Sequence, residues 1–265
     1  MSWLVIELIA VVTADLLPLK EGRDPSSTLT EPILGSPDLF SAHPFGTDRQ
    51  GLDLLSGVIY GARTSLIVGF GAVLLGAVVG GGLGLAAGYY RGKIDSLLNF
   101  LNDSLLAFPP LILLLALASV VEPNLRNVTL ALGVLAVPTF FRLTRANTMT
   151  YAQRNFVTAA RALGAGHGRI LGRELLPNVI ASTISYGFIV VAVLIVAESS
   201  LSFLGLSLQR PEPTWGNMIA AGQTDLKEYP HLVFVPGAAL FLTVLSLNQI
   251  GDWAQQKWDP RSRKL

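Results

Sequence analysis

Residues 65–87 carry no charged side chain; every position after Ser65 is apolar or glycine. A helix over such a run has no face to offer water and must be buried in a large core or in lipid. Crossing a bilayer takes roughly 20 apolar residues. Stretches that reach or approach that length lie at about 64–89, 97–121, 128–143, 178–197 and 232–250. Residues 1–17 add a sixth. They lack the basic head and small-residue cleavage site of a removable signal, so they are predicted to be a retained first span, although Glu7 and Asp15 interrupt it. Charged residues make up 14% of the chain, against about 25% in soluble domains. The expected fold class is therefore an all-α polytopic membrane protein of about six transmembrane helices. Residues 1–63 would supply the first span and an extracytoplasmic segment, and residues 64–265 the core.

Six crossings put both termini on one side, and Lys and Arg decide which. Residues 90–96, the loop 144–177 and the tail from 251, with Arg142 at the edge, hold twelve of the nineteen Lys and Arg. The opposite connections, 18–63, 122–127 and 199–231, hold seven over more residues. Both termini and the 144–177 loop are predicted to be cytoplasmic.

The chemistry open to such a chain is narrow. A net charge of +1 offers no electrostatic footprint for nucleic acid. There is no cysteine, hence no disulfide, thiolate metal site or thiol nucleophile. The stretch from Gly88 to Lys93 is the nearest approach to a phosphate-binding P-loop, and its spacing is wrong. His43, His167 and His231 have no partner four residues away, so no zinc set is visible. No Ser-His-Asp set or GxSxG elbow occurs. No catalytic, cofactor-binding or metal site is expected.

Several constellations remain. In the 144–177 loop, Thr158, Ala159, Ala160 and Arg161 belong to a stretch of good helix formers. Gly164 and Gly166 stop it, a second short helix runs to Leu176, and Pro177 breaks the pattern before the next span. The expectation is helix, glycine turn, helix, lying across the membrane surface. Gly76, Gly80, Gly84 and Gly88 fall on one helix face, a ridge that lets another backbone come close, within this chain or from a partner. Pro109 and Pro110 are expected to kink the third span. Asp103 and Asn102 either line a watery path or sit at the headgroups. Glu198, Trp215 and Asn217 are candidates for the solute path or for contact with a docked protein; capping, snorkelling and interfacial anchoring are the plainer readings.

Thr158-Ala159-Ala160, Gly164 and Leu176-Pro177 resemble the EAA loop of binding-protein-dependent ABC importer permeases, with Thr158 where Glu is usual and Glu174 where an apolar residue is usual. His43-Pro44-Phe45-Gly46-Thr47-Asp48, the segments Gly51–Ser56 and Tyr60–Leu66, Asp103–Pro109, Glu198–Leu206, Pro213–Met218 and the ending through Asp259-Pro260-Arg261 are similar, in order and spacing, to the C-type permease of the dipeptide/oligopeptide/nickel importers. Leu52 and Trp253 depart from its usual Arg and Gly. The resemblance implies a type I ABC importer permease fold and a non-catalytic subunit of the bacterial or archaeal inner membrane. It implies a second permease as heterodimer partner, two cytoplasmic ATPases that bind the ATP and Mg, and an extracytoplasmic solute-binding protein, all amid membrane lipid. The cargo would be di- or oligopeptides, with nickel chelates, haem or another small solute as alternatives. A stand-alone channel or secondary transporter would need intramembrane charge pairs or inverted repeats, and neither stands out.

Overall fold

A computed structural model describes residues 2–120, 122–209 and 211–258. The Asp259-Pro260-Arg261 ending and the basic residues Arg210, Arg263 and Lys264 lie outside them. Among the described residues the regular structure is helical, apart from one isolated bridge between Thr47 and Asp53. The helices are α1 (Ser2–Thr13), α2 (Leu54–Tyr90), α3 (Gly92–Leu106), α4 (Pro110–Val120), α5 (Leu125–Tyr151), α6 (Asn155–Ala162), α7 (His167–Phe203), α8 (Trp215–Gly222) and α9 (His231–Trp258).

Four of these, α2, α5, α7 and α9, are long and apolar enough to cross a membrane, and the bent pair α3–α4 brings the number to five. The sixth expected crossing is not among them. Helix α1 has 12 residues, about 18 Å of helix against a ~30 Å hydrocarbon core. Beyond Thr13 the chain turns, and Asp15 is held by Arg63 Nη1 at 3.0 Å and by the Tyr60 hydroxyl at 3.1 Å. The third expected span breaks by 82° where α3 meets α4. Pro109 and Pro110 supply no amide hydrogen there, and a residue before proline disfavours the helical conformation. Helix α5 outruns its expected end at 143 by two turns. Arg142 and Arg145 end the apolar run, but the small buried face continues through Thr144 and Thr148.

The chain divides into two compact units. The first comprises Met1–Phe70, Leu115–Thr129 and Val191–Asn248. Its start is organised by the motif at 43–53. Asp53 caps α2 by accepting the Ser56 amide at 2.8 Å. His43 braces Asp53 through Nδ1 at 3.1 Å and reaches Glu31 through Nε2 at 3.1 Å. Burial pushes the Asp53 carboxyl upward in pKa, against the pull of these hydrogen bonds. Gly46 and Gly51 take the left-handed φ values of +85° and +74° that the turns need. Arg49 binds both carboxylate oxygens of Asp225 and holds that group below the usual carboxylate range. Glu7 of α1 is buried and accepts from the Thr243 hydroxyl of α9 at 2.8 Å.

The second unit comprises Gly71–Leu114, Leu130–Val190 and Gln249–Leu265. Here the glycine ridge of α2 faces α5. A Cβ at Gly76 would stand 2.5 Å from Ala136 Cβ, and one at Gly88 2.7 Å from the Arg145 carbonyl. At Gly80 and Gly84 it would run into the carbonyls of Val137 and Phe141. The contacts advance together along both helices, so α2 and α5 run parallel. Parallel neighbours require the chain to return between them, a task that falls to α3–α4. Helix α7 runs antiparallel to α5, since Tyr186 meets Phe140 while Ser182 meets Asn147. Helix α9 is antiparallel to α7, with Gly251 against Ile189 and Gln255 near Ser182. The ends of α2, α5 and α9 and the start of α7 therefore gather on one side of this unit. Asp95 is bound by Arg145, with Nη2 at 2.7 Å, and Asp103 by Arg142 at 2.7 Å, so neither carboxylate is left alone.

Two outcomes follow. Gly80→Leu forces α2 off α5, and recovery of folded chain from membranes, read by size-exclusion chromatography, should collapse; Gly82→Leu, where a Cβ meets nothing within 4 Å, should be tolerated. Thr214 caps α8 by accepting the Asn217 amide, with Asn217 returning the bond to the Thr214 amide. Thr214→Ala should cost about 1 kcal/mol of stability in thermal melts, and Thr214→Ser should recover most of it.

Candidate functional site

The 144–177 segment folds as an elbow. Helix α5 continues to Tyr151, α6 follows after three residues, and α7 begins at His167. Helix α6 ends in two reverse bonds, Ala165 N to Ala160 O at 3.0 Å and Gly164 N to Arg161 O at 2.9 Å. These are the 6→1 and 5→2 bonds of a Schellman turn, which places Gly164 at its left-handed position, φ +80°. The spacing of Ala160 and Gly164 is thus a capping geometry. Nothing lies within 4 Å of where a Gly164 side chain would be, so the need for glycine is one of backbone conformation alone.

The expected break at Pro177 does not occur. Helix α7 is continuous from His167 to Phe203. Its residues Ile170–Leu175 form a π turn, closed by the Leu176 amide on the Leu171 carbonyl. The wider turn just ahead of Pro177 accommodates a residue that cannot donate a hydrogen bond.

The elbow is fastened to its own unit by one cluster. Val157 of α6 and Ile170 and Leu175 of α7 are buried together with Ala152 and Tyr89, and Tyr151, Ala165 and Leu171 pack around them. The Tyr89 hydroxyl lies 2.8 Å from His167 Nδ1, and the Arg161 guanidinium stands 5.6 Å from the Tyr89 ring centroid. Tyr89 and His167 were not foreseen in this role. The available signal was an aromatic pair, Tyr89-Tyr90, closing the longest apolar run.

The other face of the elbow is bare. Leu163 is 88% exposed and Phe156 38%. Thr158, Ala159, Arg161, Ala162, Leu176 and Pro177 are exposed beside them, and Ala160 is half-buried. The result is a small, rigid surface of apolar and basic side chains whose buried side anchors it.

Glu198, Trp215 and Asn217 sit in the first unit, and two of them are sealed from solvent. Trp215 is fully buried and donates to the Val58 carbonyl at 3.1 Å. Glu198 is also fully buried, accepting from Ser202 at 2.7 Å and Ser207 at 2.9 Å. Asn217 completes the α8 cap and donates to the carbonyls of Leu208 and Glu212 at 3.1 and 3.0 Å. In this chain Trp215 and Glu198 are buried, and the three residues knit the turn after α7 to α8. Asn217 alone also reaches the wall of a cavity of about 390 Å³. Among the described residues no three metal-ligating side chains cluster.

Residues 80–264 match the family described as binding-protein-dependent transport system inner membrane component. The glutathione transport system permease protein GsiD of Pectobacterium atrosepticum is 38% identical over 221 residues, 83% of this chain and 73% of that protein. The dipeptide transport system permease protein DppC of Alkalihalophilus pseudofirmus is 35% identical over 260 residues, 98% of this chain and 85% of that protein. In backbone, the inward-facing MetNI methionine ABC transporter superposes with a TM-score of 0.66, covering 78% of this chain and 98% of that one at 17% identity, a likeness of fold. The chain belongs to the inner membrane components of binding-protein-dependent transport systems, the permease subunits of ABC importers, and has their type I fold.

Proposed function

We propose that this chain forms half of a translocation pathway for short peptides and couples it to cytoplasmic ATPases through the α6–α7 elbow. The bare face of the elbow carries this reading. An exposed apolar surface on a rigid, internally anchored support is what a partner's groove needs, and the neighbouring arginines add charge complementarity for an acidic rim. In this reading a second permease supplies the other half of the pathway, two ATPase subunits bind ATP and Mg, and an extracytoplasmic binding protein delivers the solute. The chain itself is non-catalytic.

The inner-membrane orientation follows from charge. The side on which α2, α5 and α9 end carries Arg91, Lys93, Arg142, Arg145, Arg154, Arg161, Arg169, Arg173 and Lys257. By the positive-inside rule that side, with the elbow, faces the cytoplasm. Peptide cargo is supported by relatives named for dipeptide and glutathione transport.

The docking role is tested at Ala159, which is exposed. Ala159→Trp should leave the melting of the purified chain unchanged yet weaken ATPase association by about 2 kcal/mol, roughly thirtyfold. Stimulation of ATP hydrolysis by loaded binding protein should fall with it; full stimulation in that variant would refute the role. Gly164→Ala should act differently, destabilising the elbow by ~1–2 kcal/mol through the left-handed backbone, with Gly164→Asn less severe.

A further inference from the structure

We propose that the polar cleft among α5, α7 and α9 in the second unit binds the free carboxylate end of the solute. The inference deepens the importer reading above and rests on it for the identity of the cargo. The cleft has a volume of about 300 Å³, at the low end of the roughly 300–1,000 Å³ typical of small-ligand sites. It takes a small solute and not a long chain.

Its lining is rich in donors. Arg154, Tyr151, Tyr186 and Gln255 line it, each with a donor in its side chain, and none of them is hydrogen-bonded to another described residue through that side chain. Among the described residues no carboxylate lines the cleft, and none of them pairs with Arg154. Two other arginines of this unit hold carboxylates: Arg145 with Asp95 and Arg142 with Asp103. Two other lining residues are already committed. Asn147 Nδ2 donates to Ser182 Oγ at 2.8 Å, and that hydroxyl donates to the Val179 carbonyl at 2.9 Å. Donors that have no partner among the described residues, grouped with one guanidinium, favour an anionic, acceptor-rich group, and a planar carboxylate matches the guanidinium fork in two bonds. Arg154 is also the residue from which α6 starts, so the ligand would rest against the base of the elbow.

The chain has no cysteine, so one thiol can report on the cleft. Thr150 lines it and is exposed. The experiment uses Thr150→Cys in the complete complex with its partner subunits, in nanodiscs, without binding protein. Modification by a charged methanethiosulfonate is followed on this chain by mass. Alanyl-alanine and glutathione should slow the reaction, and the C-terminal amide of alanyl-alanine should not. Arg154→Gln should raise the dipeptide concentration needed for half-protection roughly tenfold, and Arg154→Lys should restore part of it. Absence of protection, equal protection by the amide, or a thiol that no reagent reaches would overturn the proposal. So would protection that tracks anionic phospholipid content instead of dipeptide, which would assign the cleft to a lipid headgroup. Uptake of alanyl-alanine into proteoliposomes of the full system separates the two readings. Uptake without protection sinks the cleft and leaves the peptide importer standing, whereas protection without uptake keeps the carboxylate site and sinks the peptide cargo.

Discussion

The close approach of α2 to α5 is the contact on which the rest of the second unit depends. In lipid no hydrophobic force drives helices together, so association rests on dispersion and on how near two backbones can come. Gly80, Gly84 and Gly88 stand against Val137, Phe141 and Arg145, each step four residues on both helices. The matched step keeps the two helices in register for more than two turns. It fixes where α5 ends, and therefore where Ala152 meets Tyr89 at the base of the elbow. A side chain on any of these glycines would displace the end of α5, and the elbow would be carried with it.

In the coupling role proposed above, the elbow would meet a need that a flexible loop could not. A docking surface that transmits force must not deform under it. Val157, Ile170 and Leu175 lock two short helical pieces onto α2 and α5 from one side, leaving Phe156, Ala159 and Leu163 free on the other. The Schellman turn at Gly164 satisfies the last carbonyls of α6 within eight residues of helix. Because α7 passes Pro177 unbroken, a displacement of the elbow moves the start of a membrane-crossing helix directly. The π turn at Ile170–Leu175 is the one irregular step in that helix, and such turns are frequent at functional sites.

Much of this was legible in the sequence, and the gaps have physical causes. Apolar runs and the four-residue glycine spacing locate α2, α5, α7 and α9, because lipid leaves the backbone no alternative to helix. The glycine turn at Gly164 was readable from composition. The continuity of α7 was not: proline rules are written for a regular α-helix, and a π turn escapes them. Glu7 interrupts the apolar start for a reason no local pattern reveals: its partner is Thr243, 236 residues away. Trp215 and Glu198 resembled surface features because their partners, Val58, Ser202 and Ser207, come from a fold that local pattern does not reveal.

Arg154 joins two lines of reasoning that began apart. Its backbone opens α6, and its side chain pairs with no described residue in a cleft that no described carboxylate lines. Arg142, Arg145, Arg63 and Arg49 each hold an acidic partner; Arg154 is exposed and open to water or an anion. A bound carboxylate would draw Arg154 toward α7 and α9, and so bias the start of the helix that bears Ala159. Because a ligand shifts an equilibrium only by its differential affinity for the two states, such a contact would let solute occupancy and the posture of the elbow share a single free-energy term.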